Sequence, residues 1–232
     1  MKFTHILAAT TALTVMAAPA FAETRTYDVG SFEGIDVSTG IEVFFETGPV
    51  QKVEVENEKG DFSEIEVKVD DDFLVLKRPS KLRLGFGKRA QNYIVHVTAP
   101  TLSELEVSSG ARAEGSGLSG DVEIDISSGA YANVSEISAG DLEVEASSGS
   151  QVLLSGTCTE IDADASSGAS IEASGLVCAN FIGDVSSGAS IQAHASASVD
   201  GDASSGGSIL VEGGATNVSS DKSSGGSVRV VE

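Results

Sequence analysis

From residue 101 onward, apolar and polar positions alternate in short runs that keep returning in the same phase. Val122, Ile124 and Ile126 are followed by Leu142, Val144 and Ala146, and then by Ile161, Ala163 and Ala165. Between these lies a second set of runs: Ala132/Val134, Val152/Leu154, Ile171/Ala173, Ile191/Ala193, Ile209/Val211 and Val228/Val230. Alternation with period two predicts strands that bury one face. The two sets are separated by one tripeptide, Ser-Ser-Gly, at 108–110, 127–129, 147–149, 166–168, 186–188, 204–206 and 223–225. Its glycines are 19, 20, 19, 20, 18 and 19 residues apart. A period held that regularly predicts a solenoid, in which each repeat is one rung that cannot bury its apolar face alone. The expected fold is all-β: a right-handed parallel β-solenoid of about 19 residues per rung, with the tripeptide at a corner.

Before residue 101 the pattern is looser. Strands are expected at Arg25–Val29, Gly34–Val37, Ile41–Glu46, Lys52–Glu56, Ile65–Asp70, Phe73–Lys77 and Tyr93–Thr98, with turns at Gly40, Gly48, Gly60 and Asp70-Asp71-Asp72. Ser38-Thr39-Gly40 resembles the later tripeptide, so residues 23–100 read as a degenerate half of the same architecture, capping the regular repeats of 101–232. Residues 1–22 read as a secretory signal peptide: Lys2, an apolar stretch from Ile6 to Met16, and Ala20-Phe21-Ala22 before the cleavage point. The apolar stretch is too short to span a bilayer, and no later segment could cross one as a helix. The mature chain is expected in the periplasm or outside the cell.

Two segments carry a family resemblance. Phe32-Glu33-Gly34-Ile35-Asp36-Val37-Ser38-Thr39-Gly40-Ile41-Glu42-Val43 resembles the opening of the bacterial head GIN domain family, described as putative auto-transporter adhesins. Tyr93-Ile94-Val95-His96-Val97-Thr98-Ala99-Pro100-Thr101-Leu102, running on to Val107-Ser108-Ser109-Gly110-Ala111, is similar to that family's midpoint. The resemblance covers essentially all of the mature chain. It implies an exported domain resembling a parallel β-helix, and it brings no catalytic residues with it. The sequence departs from the adhesin label in leaving no room for a translocator barrel.

Charge narrows the class of partner. Without Lys2 the chain has 13 basic residues against 35 acidic ones, a formal net charge of −22. Nucleic acid and anionic lipid are bound mainly through Lys and Arg, so neither is an expected partner. The acids fall in register with the repeat. Two residues before each first serine stand Glu106, Asp125, Glu145, Asp164, Asp184, Asp202 and Asp221. Four residues before stand Glu104, Glu123, Glu143, Asp162, Ile182, Asp200 and Ser219. Rungs stack about 4.8 Å apart, so the carboxylates are expected in parallel columns on one face. Neighbouring unit charges at that spacing repel by about 0.9 kcal/mol in water and about 3.5 kcal/mol at an effective dielectric of 20. Three readings follow: a solubilising face that discourages stacking of sheets, weak and delocalised Ca²⁺ binding by the first column, or contact with a basic protein. A tight calcium roll is excluded, because the nonapeptide Gly-Gly-x-Gly-x-Asp motif is absent.

Three further features bear on function. The paired serines fit a tight corner, where small side chains let rungs approach and hydroxyls can satisfy turn groups. Cys158 and Cys178 each lie eight residues before a tripeptide serine, so they are equivalent positions on adjacent rungs, and a structural disulfide is expected. Lys77, Arg78, Lys81, Arg83, Lys88 and Arg89 concentrate six basic residues in thirteen positions, with Pro79, Gly85 and Gly87 marking a loop. That loop is either solvated, folded on an acidic flank of the same molecule, or an interaction element.

Catalysis finds little support. After the leader only His96 and His194 remain, and no Gly-x-Ser-x-Gly, His-Glu-x-x-His or Cys-x-x-Cys motif is present. The reading is an exported, non-catalytic binding, adhesion or envelope scaffold domain without a resident cofactor. Its expected partner is a cell-surface or envelope component, protein or glycan. A carbohydrate-active β-helix enzyme and a calcium-responsive structural module are the alternatives. The final strand, Ser227 to Val231, has no capping element after it, which leaves end-to-end pairing of two molecules open.

Overall fold

The computed structural model describes residues 22–79 and 91–232. The structure is all-β and forms a β-solenoid; no helix occurs among the described residues. Residues 1–21 of the predicted leader and four of the six residues of the basic loop (Lys81, Arg83, Lys88 and Arg89) lie outside the described residues.

The chain starts with β1 (Glu23–Tyr27), β2 (Gly34–Val37), β3 (Glu42–Thr47), β4 (Lys52–Asn57), β5 (Glu66–Asp70), β6 (Phe73–Lys77) and β7 (Ile94–Ala99). These match the strands expected from alternation to within one or two residues at each end. The regular part follows: β8 (Glu104–Val107), β9 (Arg112–Ser116), β10 (Ser119–Ile126), β11 (Tyr131–Ala146), β12 (Gln151–Ala165), β13 (Ser170–Val185), β14 (Ser190–Ala203), β15 (Ser208–Glu212), β16 (Asn217–Lys222) and β17 (Ser227–Val230). Each rung from β10 on pairs in parallel with the next, and alternate residues point into one continuous core. The register shifts within the long strands, as between Val134 and Ile137, mark where a rung bends between the two tripeptide corners.

Every Ser-Ser-Gly is the same turn. The second serine has φ between 47° and 55° and the glycine between 69° and 81°. The residue after the glycine donates its N–H to the first serine's carbonyl, at 3.0 Å for Ala111 on Ser108. Two consecutive left-handed residues closed by that bond make a type I′ turn. Thr39 and Gly40, at 61° and 67°, repeat it, so Ser38-Thr39-Gly40 is a corner of the same kind. The ladder continues through the corner: the N–H of Gly110 donates to Ser128, that of Gly129 to Ser148 and that of Gly149 to Ser167, each at 3.1 Å. Backbone groups close and stack these corners; at Ser38-Thr39-Gly40 the Thr39 hydroxyl also donates to the Ser38 carbonyl at 2.7 Å and accepts the Arg78 N–H at 2.9 Å.

The degenerate half is stacked out of chain order. β2 pairs in parallel with both β6 and β8, and β3 with both β7 and β9. The rung made first by the chain is therefore sandwiched between the second and the third. Beyond it the parallel order ends. β5 runs antiparallel to β6, β4 antiparallel to β7, and β1 antiparallel to β4. This antiparallel layer is the N-terminal cap. Core side chains run from Phe32 in the cap to Val228 in the last rung in one cluster.

Candidate functional site

The carboxylate columns form as predicted, and the first is longer than the repeats. Strand pairing sets Asp36 opposite Glu106, Glu106 opposite Asp125, Asp125 opposite Glu145, and Glu145 opposite Asp164. Asp184, Asp202 and Asp221 continue the line in register. Eight consecutive rungs thus place one carboxylate each on a single line along the solenoid. Asp36 was not in the set read from the sequence. The signal was there: it stands two residues before Ser38, the first residue of the Ser38-Thr39-Gly40 corner.

Beside this line runs the column of first serines, and between the two lies a groove. Its larger stretch, about 580 Å³, is lined by Asp125, Glu145, Asp164 and Asp184 on one side and Ser127, Ser147, Ser166, Ser186 and Ser204 on the other. A further stretch of about 370 Å³ carries it past Asp202 to Asp221, Lys222 and Ser223. Strand geometry explains the arrangement: a residue two before the corner points outward, and the corner serine follows after one buried position. The second column supplies Glu104, Glu123, Glu143, Asp162 and Asp200 further out, interrupted by Ile182, which is 40% exposed.

Burial first, and neighbouring charge second, lowers the acidity of several of these carboxyls. Partial burial, reinforced by the charges of Asp36 and Asp125, holds Glu106 above the usual carboxylate range. Glu145 is raised by burial and then by Asp125 and Asp164, and Asp184 by burial and then by Asp164 and Asp202. Burial also raises Asp162 and Asp164; a backbone hydrogen bond from Asp184 partly offsets it at Asp164. Asp36 is raised by burial against the opposing pull of Lys77. A bond of the same kind joins the last rung, from the Asp221 N–H to an Asp202 carboxylate oxygen at 3.1 Å. The acids run in single file, one per rung. Among the described residues no three His, Cys, Asp or Glu side chains converge as a metal-binding group.

The other singled-out residues lie apart from this line. Cys158 and Cys178 are directly opposite in β12 and β13 and are joined in a disulfide with Cα atoms 4.6 Å apart. Arg78 is committed to the fold: its Nε donates to the Thr39 carbonyl at 2.9 Å, its guanidinium donates to the Gln91 carbonyl, and it lies 5.2 Å from the Tyr93 ring centre. Lys77 closes β6, near enough to Asp36 to act on it. His96 stacks on Phe44 at 5.6 Å and approaches Glu56 at 3.9 Å, whereas His194 belongs to β14, packed against Gly213. In the ladders His96 stands opposite Phe44 and Glu54, and His194 opposite Val177 and Glu212.

Comparisons with known proteins agree on the architecture. The family model described as "Putative auto-transporter adhesin, head GIN domain" matches residues 31–215. A crystal structure of a "putative adhesin" from Bacteroides fragilis NCTC 9343 superimposes with a TM-score of 0.79 at 22% identity, covering 90% of this chain and 97% of that one. A "putative lipid binding protein" from Parabacteroides distasonis ATCC 8503 gives 0.69 at 15% identity, over 91% and 97%. A "putative adhesin" from Parabacteroides merdae ATCC 43184 gives 0.69 at 18%, over 91% and 96%. At these identities the structures share the fold. No curated protein matches the chain.

Proposed function

Because the chain belongs to the head GIN domain family, described as a putative auto-transporter adhesin, we propose that it is an exported, non-catalytic adhesion domain whose binding element is the acid–serine groove. The observation that carries this reading is the unbroken line of eight carboxylates beside a column of hydroxyls. A line that repeats with the rung suits an extended partner with regularly spaced positive groups, because each rung offers one carboxylate and one serine. A basic segment of an envelope protein has that chemistry. Electrostatic attraction along such a line speeds association and weakens with salt. Divalent cations fit the same face as weak, delocalised counterions that bridge the line to a second acidic surface.

A catalytic use is the weaker reading on geometry. Glycoside-cleaving sites set two carboxyl groups at a fixed separation about one scissile bond. Here the spacing repeats along the axis, and no rung in the line differs from its neighbours in the way a site would require.

The test is binding of a polylysine probe to the purified protein, compared with a variant carrying Glu145→Gln, Asp164→Asn and Asp184→Asn. The expected result is saturable binding that falls steeply with salt and is lost in the variant. Equal binding by both proteins would remove the groove as the element. Calcium is added in a separate arm, where a raised melting temperature in the parent protein alone assigns the line to cations.

A further inference from the structure

The first rung of the chain stands between two rungs that fit each other without it. β2 lies between β6 and β8, and β3 between β7 and β9, all in parallel. With that rung left out, the registers set Leu74 over Leu105, Leu76 over Val107 and Val95 over Ala113. All six are buried members of one apolar core. Distances along the chain favour the same direct stack. Ile94 and Arg112, both in register with Glu42, are 18 residues apart, which is one repeat period. Glu42 and Arg112, which the structure sets opposite each other, are 70 apart.

Period and register therefore suit a stack without the rung, whereas side-chain fit suits a stack with it. Glycines make room along both seams. A Cβ on Gly34 would lie 2.7 Å from the Phe73 ring, and one on Gly48 would lie 2.7 Å from the Thr98 methyl. At the other seam, a Cβ on Gly115 would fall on the ring and carbonyl of Phe45, and one on Gly117 on the Thr47 hydroxyl. The seated rung also buries Ile35, Val37, Ile41, Val43 and Phe45. That burial holds it in place once it is in.

We propose that β2 and β3 form a late-inserting rung: β6 and β7 first stack directly on β8 and β9, and residues 34–47 then enter between them. Segments one period apart meet before segments 70 residues apart, because the entropy of closing a loop grows with its length. Stacked repeats also form by spreading from neighbour to neighbour. Both arrangements pair β6 to β9 in parallel, so the rung is an element with two states, out and in. Insertion also adds Asp36 to the acidic line, which begins at Glu106 while the rung is out.

A cross-link that holds the rung out tests this. In a Cys158→Ala, Cys178→Ala background, Ile94→Cys and Arg112→Cys stand two strand spacings apart in the folded protein. That is about 9.6 Å, beyond the roughly 4.4–6.8 Å that a disulfide spans. The pair is oxidised in denaturant, and the protein is refolded and followed by hydrogen–deuterium exchange. The expected result is protection of β6 to β9 with free exchange of 34–47. Reduction should then protect 34–47 in one slow phase, slower again when Gly115→Ala is added. A cross-linked protein in which β6 and β7 exchange freely overturns the proposal, because no direct stack then exists. So does one that protects 34–47 with the cross-link in place. Pulsed exchange during refolding of the unmodified chain is the second measurement. There residues 94–99 should gain protection before 42–47, and simultaneous protection of the two equally overturns the proposal.

Discussion

Asp36 lies directly opposite Glu106 in the β2–β8 ladder, and its charge is one of the causes that hold the Glu106 carboxyl above its usual range. The acidic line is therefore continuous across the junction between the irregular and regular halves. Asp36, Glu106, Glu145, Asp164 and Asp184 hold their protons more tightly in the folded chain than in the unfolded one, so folding takes up protons in this region. Stability from this source is fully retained below the ordinary carboxylate range and is lost as pH rises through that range to the raised values. Glu54 and Asp70 in the cap act in the opposite sense, held low by Lys52 and Lys68. The line outnumbers them. The expected outcome is a melting temperature that falls as pH rises out of the ordinary carboxylate range toward neutrality in low salt, with the fall shrinking in 1 M NaCl.

Neutralising one interior member of the line should act in the same direction. Glu145→Gln removes a charge flanked by Asp125 and Asp164 without changing shape. Surface charge pairs are typically worth 0.2–1 kcal/mol, so a gain of roughly 1–3 °C at pH 7.5 is expected, vanishing at high salt. A loss of stability would mean that the carboxylate already holds a bound cation in solution.

The disulfide links adjacent rungs across a separation of 20 residues. Closing a loop of that length removes about 3 kcal/mol of unfolded-chain entropy in the usual treatment. Cys158→Ala with Cys178→Ala should then lower the melting temperature by roughly 6–12 °C. The far-ultraviolet circular dichroism should be unchanged, because backbone bonds on both sides of the pair hold the rung without it. Reduction of the parent protein should reproduce the loss.

The second serine of each corner sits where side chains are strained. At Ser148, φ is 55°. Asn tolerates the left-handed region better than Ser, whereas a β-branched residue does not. Ser148→Asn should therefore leave the melting temperature equal or slightly higher. Ser148→Val should lower it by the equivalent of about 1–2 kcal/mol. Equal melting of the two would show that the corner relaxes to another turn.

These corners explain why the regular half could be read so far from sequence and the rest less far. Ser-Ser-Gly is visible because the type I′ turn admits few residues, and its period locates every strand beside it. Once the rung is placed, the carboxylate column and the opposed Cys158 and Cys178 follow from counting. The strands before residue 101 were legible from alternation, but their order was not. Nothing local in Gly34–Val37 says that it pairs with both Phe73–Lys77 and Glu104–Val107. Nor does the local pattern show that β4 pairs antiparallel with both β1 and β7, the latter about forty residues on. The place of Arg78 was hidden for the same reason: its partners Thr39 and Gln91 come from different turns of the chain.

The core also contains a size exchange that the alternation pattern does not show. Phe181 is the bulky member of a column otherwise filled by Val122, Leu142, Ile161 and Val199, and the neighbouring column thins to Gly183 and Gly201 beside it. A Cβ built on Gly183 would lie 2.4 Å from the Phe181 ring and 3.0 Å from the Ala163 carbonyl, so the ring occupies the space a side chain there would need. A Cβ on Gly201 would meet only ordinary contacts, Ile209 and Val228 at 3.4 Å and Phe181 at 3.9 Å. The two glycines should therefore respond oppositely to the same change. Gly201→Ala should raise stability by about 0.5–1 kcal/mol, because it fills space and restricts the unfolded chain. Gly183→Ala should lower it by about 1–3 kcal/mol, because ring and backbone must both move. Phe181→Ala should cost about 3–5 kcal/mol by opening a cavity. With the ring gone, part of the Gly183→Ala penalty should disappear, and a double-mutant cycle measures that part. Additive losses would place the strain wholly on the Ala163 carbonyl and remove the ring from the account.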